Sequence, residues 1–155
     1  MAMMKQKKDD GMTLFGKIIT VIFLVLLAAG IYYFASLFKA IEISPITIAG
    51  QWKQAGSPVY YITFTPDGDG ETYDGTAHAW EQFTGTGEIR NDIWYTYRLI
   101  PDPDSQNGNY LLYLKEQGKK DAVEEKIVIT QVSRAEISMI RDGSNFETLT
   151  KVNLF

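Results

Sequence analysis

One uninterrupted apolar segment, from Ile18 to Phe38, limits what this chain can fold into more than any other feature. It contains no charged side chain. At a helical rise of about 1.5 Å per residue it reaches roughly 31 Å, about the hydrocarbon thickness of a bilayer. The sequence therefore predicts a transmembrane helix over residues 18–38. The anchor residues that we single out are Ile18, Phe23, Leu26, Ala29, Gly30, Tyr32, Tyr33 and Phe38.

A cleaved signal peptide is the alternative interpretation of this segment. The apolar region of a signal peptide usually has about 7–15 residues and ends at a small-x-small cleavage site. Here the cluster of small residues, Ala28 to Gly30, is followed by the apolar and aromatic residues Ile31 to Phe34, and no polar mature start follows it. The pattern favours an uncleaved anchor.

The positive charges around the segment predict its orientation. Lys5, Lys7, Lys8 and Lys17 precede it, whereas only Lys39 follows it closely. Lys and Arg near the ends of a span stay preferentially in the cytoplasm. We therefore expect residues 1–17 to be cytoplasmic and the chain to be a single-pass protein of the inner membrane. Everything after a linker at residues 39–45 should lie in the periplasm or outside the cell.

The composition excludes several classes of function. Residues 1–45 contain five Lys and Arg against three Asp and Glu, and the remainder contains ten against sixteen, which together give the net charge of −4. An acidic outer domain argues against nucleic-acid binding, because phosphate contacts need clustered cations. The chain has no cysteine, which excludes disulfides, thiolate metal sites and a lipid-modified Cys.

From Ile46 onward, alternating apolar residues and frequent turn formers replace the continuous apolar pattern. One predicted strand places Tyr60, Ile62 and Phe64 on a single face. A second places Ile93, Tyr95, Tyr97 and Leu99 on one face, with Thr96 and Arg98 on the other. Period-two alternation with aromatic and β-branched residues indicates strands, and Asp-Gly and Asn-Gly pairs favour hairpins. We expect about eight strands in residues 46–155, forming an all-β antiparallel meander that closes as a barrel or packs as a sandwich.

This outer domain resembles small bacterial lipocalin-like β-barrel domains. The resemblance is carried by Gly50-Gln51-Trp52 at the first strand, by Phe64 to Gly68 at a hairpin, and by the final strand Phe146 to Val152. It implies a barrel that Trp52 closes at one end, against a basic side chain from the last strands. Arg141 and Lys151 are the two candidates for that basic side chain.

The sequence contains no strong signature of catalysis or of a cofactor. His78 is the single histidine and has no cysteine near it, so we interpret it as a surface or strand residue. Two acidic loops, residues 67–74 and 102–109, suggest calcium, but neither has the glycine and glutamate spacing of a helix-flanked calcium loop. We therefore expect no enzyme activity, no metal and no cofactor.

Three functions are weighed. The first is a non-catalytic accessory subunit of a larger integral-membrane complex of respiratory, photosynthetic or secretion type. Its helix would dock in the membrane and its β-domain would brace the outer face. The second is a membrane-tethered lipocalin-like module that binds a small apolar ligand or lipid. The third is an enzyme, a hypothesis that only scattered acidic residues support. Several aromatic residues must face outward on alternating strands, which favours the first, because interfaces are rich in aromatics.

Overall fold

The computed structural model describes residues 14–68 and 73–153 of the chain. Lys5, Lys7 and Lys8, on which the predicted orientation depends, and the middle of the first acidic loop lie outside the described residues. The chain divides into two compact units, Met1–Ser36 and Leu37–Phe155.

The first unit contains most of a long apolar helix, α1 (Leu14–Leu37). Its segment Phe15–Leu37 is strongly apolar, and its side chains are exposed along nearly the whole length. Two hydroxyls are satisfied inside the helix, since Thr20 Oγ1 donates to Gly16 O at 2.9 Å and Ser36 Oγ donates to Tyr33 O at 2.7 Å. The helix begins four residues before the predicted start. It is long and apolar enough to cross a membrane, but signal sequences also have this length and apolar composition.

The second unit is a closed barrel of eight antiparallel strands in meander order. Each strand pairs with the next along the chain, and the last returns to the first, so the predicted all-β meander is confirmed and closes as a barrel. The strands are β1 (Gly50–Gln54), β2 (Val59–Pro66), β3 (Asp74–Gln82), β4 (Ile89–Pro101), β5 (Tyr110–Glu116), β6 (Glu125–Val132), β7 (Glu136–Arg141) and β8 (Asn145–Lys151).

A one-turn helix, α2 (Pro45–Ile48), precedes the first strand. Ser44 caps it, because its side chain accepts a hydrogen bond from Thr47 N while the Thr47 hydroxyl accepts one from Ser44 N. No helix was expected after Ala40, since a single turn is too short to show helical periodicity. Just before α2, Ile41 N–H donates to Val132 O at 2.8 Å, so part of the predicted linker packs on the barrel.

Apolar side chains from all eight strands fill the barrel interior. The two predicted strand faces both point into the barrel: Ile62, Phe64, Tyr97 and Leu99 are buried there, and Tyr60 and Tyr95 are partly buried against them. The largest fully buried side chains are Trp52, Ile48, Leu99, Leu112, Leu114, Ile127, Ile129, Ile137, Leu149 and Val132. Because the strands alternate in direction, the turns after β1, β3, β5 and β7 lie at one end, called here the hairpin end. The opposite end, which carries α2, is called the α2 end.

Candidate functional site

At the α2 end, Trp52 closes the barrel interior. Its side chain is fully buried, and its Nε1 donates a hydrogen bond to Ile48 O of α2 at 2.7 Å. The Lys151 ammonium lies 4.3 Å from the centre of the Trp52 ring system and donates to Ala49 O at 2.5 Å. A cation held over an indole face is attracted by the ring quadrupole. Trp52, Lys151 and the carbonyls of Ile48 and Ala49 therefore form one connected closure.

The closure depends on a glycine. Gly50 has φ +101°, a conformation that side chains rarely adopt, and a Cβ there would lie 3.1 Å from Lys151 Nζ. Glycine therefore serves both the backbone turn into β1 and the close approach of the lysine. Burial lowers the pKa of Lys151.

The other basic candidate, Arg141, lies at the hairpin end and not beside Trp52. Its Nε is 3.2 Å from Glu125 Oε1 and 3.7 Å from Glu147 Oε2, and its guanidinium stands 5.9 Å from the Tyr60 ring centre. Burial opposes the charge of Arg141, yet the carboxylate of Glu125, together with Tyr60 and Glu147, raises its pKa. Arg141 thus holds together inward-facing polar groups from three strands.

The outer wall carries a second feature, which we call the aromatic ladder: Tyr61, Trp80, His78 and Trp94. The Tyr61 and Trp80 rings stack with centres 5.2 Å apart, and the His78 and Trp94 rings stack at 4.2 Å. The His78 and Trp80 rings are 4.9 Å apart and join the two pairs into one array. Trp94 is 53% exposed.

Strand register builds this ladder. Tyr61 lies opposite Trp80, and His78 lies opposite Trp94, so the four residues occupy neighbouring outward positions on β2, β3 and β4. Asp92 fixes the imidazole, because its Oδ1 lies 2.5 Å from His78 Nε2. Rings that stack at these distances cover the faces that lie between them, and the two end rings, Tyr61 and Trp94, each stack through one face. The edges of the indole and phenol rings carry N–H and O–H groups.

The sequence predicted that outward aromatics exist, but it missed the role of His78. A signal was available, since His78 and Trp80 are two residues apart on β3 and therefore share one face. The pairing of His78 with Trp94 could not be predicted from the sequence, because it depends on a register shift between Ala79 and Glu81.

The second acidic loop uses its side chains to form its own turn. Asp102 Oδ1 accepts from Asp104 N at 3.2 Å, and Ser105 Oγ accepts from Asn107 N and Asn109 N. Among residues 14–68 and 73–153, there is no group of three or more His, Cys, Asp or Glu side chains that could hold a metal ion.

The predicted anchor residues lie on or next to α1. Ile18, Phe23, Leu26, Ala29, Gly30, Tyr32 and Tyr33 belong to the helix and are exposed, and a Cβ on Gly30 would meet nothing within 4 Å. Phe38 follows the last helical residue.

Comparison with known proteins gives no relative. No protein-family model, no curated protein and no solved structure matches this chain.

Proposed function

We propose that this chain is a membrane-anchored, non-catalytic accessory subunit of a larger integral-membrane assembly. In this proposal α1 crosses the inner membrane once with its N-terminus in the cytoplasm. The barrel is held outside the cytoplasm and docks on a partner protein through the aromatic ladder.

The aromatic ladder is the observation that carries the proposal. Trp and Tyr are enriched at protein interfaces, where a few of them supply most of the binding free energy. A ladder stacked in advance loses little side-chain entropy on binding, because its rings already hold one another in place. The free indole and phenol edges suit hydrogen bonds to a partner backbone, with Trp94 as the most exposed member.

The packed interior favours binding on the outer wall over the lipocalin-like alternative. A small apolar ligand would need the volume that Trp52, Leu99, Leu112 and Ile127 occupy.

Blue-native electrophoresis of source-cell membranes in a mild detergent tests the proposal. We expect the wild-type chain to migrate in a large complex and the variants Trp94→Ala and Trp80→Ala to shift toward the monomer. Tyr73→Ala is the matched control, because Tyr73 is an exposed aromatic (43%) outside the ladder. Migration of the wild-type chain as a lone monomer contradicts the proposal, as does an unchanged complex with Trp94→Ala.

A further inference from the structure

The seam between β1 and β8 is the shortest in the barrel. These two strands share only two register pairs, Trp52 with Lys151 and Lys53 with Thr150. All other neighbouring strands share between five and eight. The half of β8 nearest the hairpin end, Asn145 to Leu149, therefore pairs with β7 on one side and with no strand of the described residues on the other.

The direction of the backbone groups along this half follows from two hydrogen bonds. Lys151 N donates to Ala135 O at 2.8 Å on the β7 side, and Val152 N donates to Gln51 O at 3.0 Å on the β1 side. Successive residues of a strand point their N–H and C=O groups to opposite sides. Phe146 and Thr148 therefore direct both groups toward the open side, whereas Glu147 and Leu149 direct theirs toward β7.

An apolar row on the outer wall ends at this same edge. Register places five outward residues side by side across β4 to β8: Ile100, Leu111, Val128, Ile140 and Phe146. Leu111, inside the row, is only 5% exposed, whereas Phe146, at the edge, is 66% exposed. One more strand beside β8 would continue the row and cover Phe146.

The inner side of the edge is acidic. Glu147 faces the interior beside Arg141, which it shares with Glu125, so two carboxylates face one guanidinium. A residue opposite Glu147 on an added strand would point inward, next to these carboxylates. A basic side chain suits that position, and an acidic one does not.

We propose that the β8 edge, Phe146 to Thr148, binds an extended segment of a partner polypeptide as an added strand. The segment alternates apolar side chains, which flank Phe146 outside, with Lys or Arg, which face Glu147 inside. Backbone hydrogen bonds supply affinity in this mode and the alternating side chains supply specificity. A second copy of this chain that pairs about a twofold axis through Glu147, the centre of this edge, would set that carboxylate against its own counterpart, which disfavours that register. The edge lies on β8 and does not depend on the aromatic ladder.

Amide hydrogen exchange followed by NMR on the full-length chain in detergent micelles tests this proposal. In the free protein we expect the amides of Phe146 and Thr148 to exchange at least about tenfold faster than those of Glu147 and Leu149. A short peptide that alternates Val and Lys should slow the first pair at least about tenfold, and the same peptide with its central Val replaced by Pro should not.

Two variants separate this edge from the ladder. Phe146→Ser should weaken the protection that the peptide gives, whereas Trp94→Ala should leave it unchanged. The proposal is overturned if Phe146 and Thr148 are already protected in the free protein, or if the alternating peptide protects neither amide. Protection that rises with protein concentration in the absence of peptide also overturns it, because a second copy then occupies the edge.

Discussion

Replacing Trp52 with Phe removes one hydrogen bond and part of one ring system from the closure at the α2 end. The Ile48 carbonyl loses the donor that lies at 2.7 Å in a buried site, and an orphaned buried acceptor costs about 1–3 kcal/mol. The smaller ring leaves a space worth about another 1–2 kcal/mol. We therefore expect the free energy of unfolding to fall by about 3 kcal/mol, which lowers Tm by about 10 °C for a unit of this size.

The assay is thermal and guanidinium unfolding of the full-length chain in detergent, followed by near-ultraviolet circular dichroism. Trp94→Phe is the matched control, because it makes the same chemical change at a residue that is 53% exposed, and it should change the free energy of unfolding by at most about 0.5 kcal/mol. If Trp52→Phe destabilises the barrel no more than Trp94→Phe does, the account of the closure is wrong.

Two further predictions concern single side chains of the barrel. Gly50→Ala should destabilise the barrel by about 2 kcal/mol, because residue 50 has a positive φ and lies close to Lys151. Gly85→Ala is the control and should be close to neutral in the same unfolding assay, because a Cβ at position 85 meets nothing within 4 Å. Burial, with Asp67 and Asp74, raises the pKa of Tyr97 to about 12 from 10. The contribution of Tyr97 ionisation to the free energy of unfolding is therefore fully present below pH 10 and is lost as pH rises toward 12. Because the Tyr97 hydroxyl has no hydrogen-bond partner among the described residues, Tyr97→Phe should raise stability by about 1 kcal/mol at pH 7 and flatten that alkaline fall. A steeper alkaline fall in the variant, measured by urea unfolding across the pH range, contradicts this assignment.

Much of the fold could be predicted from the sequence, because the faces of a strand alternate with a period of two. The inward set on β4, from Ile93 to Leu99, was predicted from alternation alone, since the interior selects apolar side chains at every second position. Helix α2 was missed, because a single turn is held by the cap of Ser44 and not by an amphipathic pattern.

Less of the candidate site could be predicted from the sequence, because the site depends on which strands lie side by side and in what register. The choice between Arg141 and Lys151 follows from strand direction. Arg141 precedes the Asp142-Gly143 turn and so lies at the hairpin end, while Trp52 lies near the start of β1 at the other end. The ladder joins residues up to 33 positions apart, Tyr61 to Trp94, through a register shift that no local pattern encodes.

If the aromatic ladder contacts a partner protein, photo-crosslinking in source-cell membranes should detect that contact. A photoreactive phenylalanine analogue placed at position 94 should give one discrete higher-mass adduct, and the same analogue at position 73 should give none. A discrete adduct from position 94 that disappears in the Trp80→Ala background is the predicted result. No adduct from position 94, or the same adduct from both positions, contradicts the claim.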